Sequence, residues 1–162
     1  MTLRAIDNVD CAQNRGSEVM RYINGEDLLA ALNEAEAGPE PDDLQGAPMI
    51  DNWFLIWRDG DVVRADGDVH GHPTIDAPWV TTSPVLGYDY DFDREEGWLR
   101  TISRWYRLGQ LREVPVNSTS PEQARHAALF AAKRHLARQR SDWRDQYGPA
   151  LDAKNQARPY GP

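Results

Sequence analysis

The sequence predicts an α+β fold: a small antiparallel three-stranded sheet packed by two or three helices, the last of them long. Three stretches carry that expectation. Trp53-Phe-Leu-Ile-Trp57 is a short apolar run of strand formers, followed by the turn signal Arg58-Asp-Gly-Asp61 and by Val62-Val63, which together read as a β-hairpin. Gly97 to Gly109 read at 100° per residue puts Trp98, Ile102, Trp105 and Tyr106 on one side and Arg100, Arg104 and Arg107 on the other, an amphipathic helix. Ser120-Pro121-Glu122-Gln123 is a helix start, with Ser at the N-cap, Pro at N1 and Gln at N3.

In chain order, residues 1–16 show little periodicity and read as a loose terminus, and Ser17 to Tyr22 as a short helical turn. Asn24 is the expected N-cap of a helix near 25–37, with Asp27 at N3 and Leu28, Leu29, Leu32 and Ala35 at helical spacing, stopped by Gly38-Pro39. Glu40 to Pro48 reads as an exposed linker. The sheet is expected between about residues 53 and 86. Asp66-Gly67 is read as a second turn, and His70-Gly-His72-Pro73 leads into a loop ending near Pro78. Trp79-Val-Thr-Thr82 is the third strand, ended by Ser83-Pro84. The carboxylate-rich Asp89 to Glu96 is an acidic lead-in to the helix near 95–108, favoured there by the helix dipole. Leu111 to Val116 reads as an edge strand limited by Pro115. Leu129, Ala132, Leu136 and Trp143 then mark one long helix to about Gln146, ended by Gly148-Pro149. The expectation is a single domain over 1–162 with its core at about 17–146 and a loose tail at 148–162.

Charge is unevenly placed. Residues 40–97 carry 14 acidic and 3 basic side chains, whereas residues 98–162 carry 5 acidic and 12 basic. Either the two blocks meet in the fold and neutralise each other, or one of them faces a partner of opposite sign. The formal net charge of −8 argues against nucleic acid as the first-choice partner, because phosphate neutralisation dominates such affinity. Arg outnumbers Lys by 16 to 2, which fits a GC-rich genome as well as selection for bidentate contacts. Cys11 alone excludes an internal disulfide or a Cys-rich zinc site and fits a reducing, cytoplasmic setting. No apolar window suggests a signal sequence or a membrane span.

Sites are few. Asp66, Asp68, His70 and His72 alternate, so an extended backbone sets two carboxylates and two imidazoles on one face, a low-ranking metal candidate. Asp89, Asp91 and Asp93 resemble the start of a calcium loop, but Arg94 and Arg100 stand where Gly and a bidentate Glu belong. No nucleophile elbow, P-loop or dinucleotide fingerprint is present, so neither catalysis nor a cofactor is expected. The expected partner-binding residues are Asp89, Asp91, Asp93, Glu95 and Glu96 with Arg100, Arg104 and Arg107. The leading expectation is a binding protein whose acidic middle engages a basic protein surface. A nucleic-acid-binding regulator using the Arg stripe and the C-terminal helix is the alternative, and a metal-dependent enzyme at Asp68, His70 and His72 is the third reading.

Gly71-His-Pro73, Thr82-Ser83-Pro-Val and Gly97-Trp-Leu-Arg-Thr-Ile-Ser-Arg-Trp-Tyr-Arg-Leu-Gly109 resemble a family of short bacterial proteins from alphaproteobacteria and their mobile elements. There, a hairpin, Gly-His-Pro, Thr-Ser and then Trp-x-Arg-Thr-x-Ser-Arg-x-Tyr-x-Leu-Gly recur. The resemblance covers about residues 53–109. It implies a cytoplasmic bacterial or phage protein and brings no assigned activity. An inhibitor of a nucleic-acid-handling host system, anti-CRISPR-like, is instead one member of the binding-protein class expected from small size, acidity and the lack of a catalytic motif.

Overall fold

The computed structural model describes residues 23–57, 62–113 and 120–156, with side chains to Ala150. Helix α1 spans Gly25–Ala37. Asn24 accepts from the Asp27 N–H at 2.9 Å, and Leu28, Ala31, Leu32 and Ala35 form its buried stripe. Gly38, at φ 83°, ends it by donating to the Glu34 carbonyl. A short helix α2, Pro41–Leu44, lies inside the segment read as a linker. Pro41 sets its first turn, and the Asp43 carboxylate accepts from the Glu40 N–H.

Six strands follow: β1 Met49–Ile56, β2 Arg64–His70, β3 Trp79–Thr81, β4 Val85–Asp91, β5 Glu96–Thr101 and β6 Trp105–Leu108. They form one sheet in the order β3-β2-β1-β6-β5-β4. The β1–β6 pair is parallel and the others are antiparallel, so the sheet is mixed. This corrects the expectation of a three-stranded antiparallel sheet. The α+β class stands, but three strands lie where an acidic loop and a helix were expected.

The segment 96–108 is a hairpin. Leu99, Thr101, Tyr106 and Leu108 are buried while Trp98, Arg100, Trp105 and Arg107 face outward, a period of two. The turn is organised by buried Thr101, whose Oγ1 accepts from the Ser103 and Arg104 N–H groups, both at 3.2 Å. Its own N–H donates to the Arg104 carbonyl. A hydroxyl that can serve a turn competes with a helix through the same residues, and the turn wins here. Asp66-Gly67 is likewise mid-strand in β2 and not a turn. A Cβ on Gly67 would stand 2.4 Å from Ile50 Cγ2 and 2.8 Å from the Asp51 carbonyl, so glycine is required by the approach of β1 at its irregularity between Asp51 and Phe54.

The sheet curls back on itself. β3 and β4 are its two outer strands, yet only three residues separate them. Thr82 N–H donates to the Ala65 carbonyl at 2.9 Å and Val85 N–H to the Val63 carbonyl at 2.7 Å. The run from β3 into β4 therefore pairs with the β2 side and then with β5. Buried Gln139 stitches this junction: its Oε1 accepts from Val63 N–H at 3.1 Å and its Nε2 donates to the Val85 carbonyl at 3.0 Å.

Helix α3, Pro121–Gln156, starts as expected and covers the curled sheet with Leu129, Ala132, Leu136 and Trp143. It does not end at Gly148. Pro149 sits inside it, giving up one backbone bond, and good helix formers on its far side carry the helix on. Inside the curl lie Ile50, Trp53, Val63, Tyr88, Leu99 and Tyr106. A second cluster joins α1 to Leu86, Ile102 and Trp143. Leu111 bridges Trp53 in parallel, which extends β6 as the expected edge segment begins. Residues 1–22, the Arg58–Asp61 turn, the end of that edge segment and the last six residues lie outside the described residues, as does Cys11. Among the described residues no helix is long and apolar enough to cross a membrane.

Candidate functional site

The β4–β5 hairpin carries most of the expected site. Its turn is set by Asp91, whose Oδ1 accepts from the Asp93 and Arg94 N–H groups at 2.9 and 3.1 Å. Glu95 takes a left-handed conformation, φ 51°, to bring the chain back. Asp91 and Glu96 are register partners at the mouth of the hairpin. Asp91, Asp93, Glu95 and Glu96 thus share one exposed tip with Arg94, which lies 3.9 Å from Asp91 and 3.6 Å from Glu96. Asp93 and Glu95 make no ion pair among the described residues.

Beside the tip lies an open cleft of about 460 Å³, lined by Leu44, Met49, Asp89, Tyr90, Asp91, Glu96, Gly97, Trp98, Arg107 and Leu108. Its shape depends on Gly97, where a Cβ would stand 2.2 Å from the Asp89 carbonyl. A second cleft of about 340 Å³ adjoins it across Asp89 and Trp98 and reaches Glu36, Lys133 and Arg140. Asp89 is partly neutralised by Lys133 at 2.9 Å. Arg107 is tethered on the rim by its Nε bond to the Ala47 carbonyl at 3.0 Å. An indole with carboxylates at its edge suits a cationic group, which gains from the ring face and from the charges together.

The Arg stripe does not form. Arg100 is turned toward α1, where its guanidinium donates to Glu34 at 2.9 Å and to the Thr101 carbonyl at 2.8 Å. Arg104 stands at the β5–β6 turn, and Arg107 joins the cleft. Of the eight expected residues, the structure brings Asp89, Asp91, Glu96 and Arg107 to one cleft, sets Asp93 and Glu95 beside it, and takes Arg100 and Arg104 elsewhere. The helical period sets Trp98 on the same side as buried Ile102 and Tyr106, and no local signal distinguishes an outward Trp from an inward one once the period is misjudged.

The alternating Asp66, Asp68 and His70 do share the outer face of β2. His72 leaves it, because Gly71 adopts φ 70°. Its Nδ1 accepts from the Thr74 and Ile75 N–H groups at 3.2 and 3.0 Å, so the proton sits on Nε2, which faces the Tyr106 hydroxyl at 3.4 Å. Burial, aided by the Arg104 charge, holds its pKa below the ordinary imidazole value. Among the described residues no three His, Cys, Asp or Glu side chains converge as metal ligands.

Fold and cleft together define a small α+β domain with a curled mixed sheet and an acid-rimmed, Trp-lined cleft on its outer face. The chain belongs to a family of unknown function, DUF6634, whose model matches residues 19–143. No curated protein and no solved structure matches it.

Proposed function

We propose that this is a non-enzymatic binding protein of bacterial accessory or mobile-element type, whose β4–β5 hairpin takes a basic segment of a partner protein into the cleft. The observation that carries this reading is the pairing of Asp91 and Glu96 across the hairpin mouth, both lining the cleft that Trp98 also lines. A basic surface that otherwise holds nucleic acid is the natural complement, and inhibition of a nucleic-acid-handling host system, anti-CRISPR-like, is one use of such a contact. The dispersal of Arg100 and Arg104 leaves the nucleic-acid alternative without the stripe it required.

Exposed charge pairs contribute little singly and are screened by salt, so the contact depends on several of them and on the indole. Calorimetric titration with an Arg-Gly repeat peptide tests it. Binding is expected at low salt, falling as salt rises. Asp91→Asn with Glu96→Gln is expected to weaken it about tenfold, as loss of two moderate charge contacts requires. Absence of binding at low salt, or equal binding by the double variant, contradicts the reading.

A further inference from the structure

A second group of side chains, sharing no residue with the cleft, lies on the outer face of β1, β2 and β3. Phe54 and Trp79 come from β1 and β3, with β2 between them, yet their rings stand 6.1 Å apart. They therefore meet over β2. Asp66 is the register partner of Phe54 on one side and of Thr81 on the other, and Asp68 is the partner of Trp79. Both carboxylates thus share the face that the two rings cover. Across the rings lies Arg112, its guanidinium carbon 5.1 Å from the Phe54 centroid and 5.4 Å from that of Trp79.

This cage holds a cation without bonding it. Arg112 makes no ion pair among the described residues. Asp66 Oδ1 is enclosed and has no hydrogen-bond partner among the described residues. Among the described residues Asp68 accepts from the Asn52 amide alone, at 3.4 Å. The backbone of Arg112 is bonded to the Trp53 carbonyl at 2.8 Å, which fixes where its side chain starts. A guanidinium arriving from solvent is free of that tether. Trp79 remains 37% exposed.

We propose that this cage is a receptor for an arginine side chain of a partner protein, with the chain's own Arg112 as its resident, displaceable occupant. An incoming guanidinium would keep the contacts with both rings and supply the donor that Asp66 Oδ1 lacks. Arginine is favoured over lysine because its planar fork both stacks on rings and matches a carboxylate. The inference rests on the reading that the partner is basic, and on none of the cleft's residues.

The test is an NMR titration with N-acetyl-arginine amide, followed at the Trp79 indole N–H. If Arg112 fills the cage nine-tenths of the time, Arg112→Ala binds the probe about tenfold more tightly than the parent chain. N-acetyl-lysine amide should gain much less, and adding Asp66→Asn to Arg112→Ala should abolish the gain. Arg112→Lys should fall between parent and alanine variant, and being conservative it guards against a misfolded Arg112→Ala. Equal affinity in parent and Arg112→Ala, lysine binding as tightly as arginine, or indifference to Asp66→Asn overturns the proposal. Adding Asp91→Asn and Glu96→Gln to Arg112→Ala should leave the gain intact. Its loss there would assign the probe to the cleft and overturn this inference. Failure of the Arg-Gly peptide with the gain preserved overturns the cleft reading alone.

Discussion

Single side chains close this fold at two places. Gln139 satisfies a buried N–H and a buried carbonyl from two segments 22 residues apart in sequence, Val63 and Val85. Replacing it by leucine keeps the volume and orphans both groups. Gln139→Leu should therefore lose about 2 kcal/mol or more, since each unsatisfied buried group costs roughly 1–3 kcal/mol. Urea denaturation measures this, and an unchanged midpoint would show that the junction is not closed as described. His72 is the second place. It works only while neutral, because protonated Nδ1 cannot accept from Thr74 and Ile75. Its folded pKa lies below the ordinary 6.5. The stability it contributes is thus complete above that value and is lost as pH falls through the folded pKa. The difference in stability between the parent and His72→Gln should shrink on acidification, followed by denaturation at a series of pH values. Tyr88 titrates in the other direction. Burial raises its pKa, so its hydroxyl stays a donor to the Leu129 carbonyl across the working range.

At the scale of elements, the hairpin of β5 and β6 is the instructive case. Trp98, Ile102, Trp105 and Tyr106 satisfy a helical period by coincidence, because a two-strand segment with a tight turn in its middle repeats apolar residues at similar intervals. What outweighs that period is Thr101 at the turn and the high strand preference of Trp, Thr, Ile and Tyr. Where a local signal and the fold agree, the sequence was legible: Asn24 and Ser120 as caps, Gly38 as a stop, the stripe Leu129-Ala132-Leu136-Trp143, and the strand at Trp53. The parallel β1–β6 pair was not legible, since its register partners, Met49 with Arg107 and Ile50 with Leu108, are nearly sixty residues apart with no short-range signal. Part of the acidic site was visible as composition, but Trp98 as its lining was not. Arg100 shows how the hairpin is fastened to α1. Its side chain is 11% exposed while that of Glu34 is 53% exposed. Arg100→Ala should then destabilise by about 1–2 kcal/mol, through lost charge-assisted bonds and packing, and Glu34→Gln by less than about 1 kcal/mol. Equal losses in urea melts would contradict that asymmetry.

Across the whole molecule, the two charge blocks touch through Lys133 and Asp89, while the other pairs of α3 fall outside the acidic block: Arg125 with Glu113, and Arg140 and Arg144 with Glu36. Asp91, Asp93, Glu95 and Glu96 share the β4–β5 tip with Arg94, which leaves one acidic end next to a cleft. The most direct measurement is a map of backbone amide and indole shifts as the Arg-Gly peptide is added at low salt. The account predicts shifts centred on Asp91, Glu96 and Trp98 that vanish in the Asp91→Asn, Glu96→Gln variant. Shifts centred instead on the outer face of α3, or none at the Trp98 indole, would contradict it.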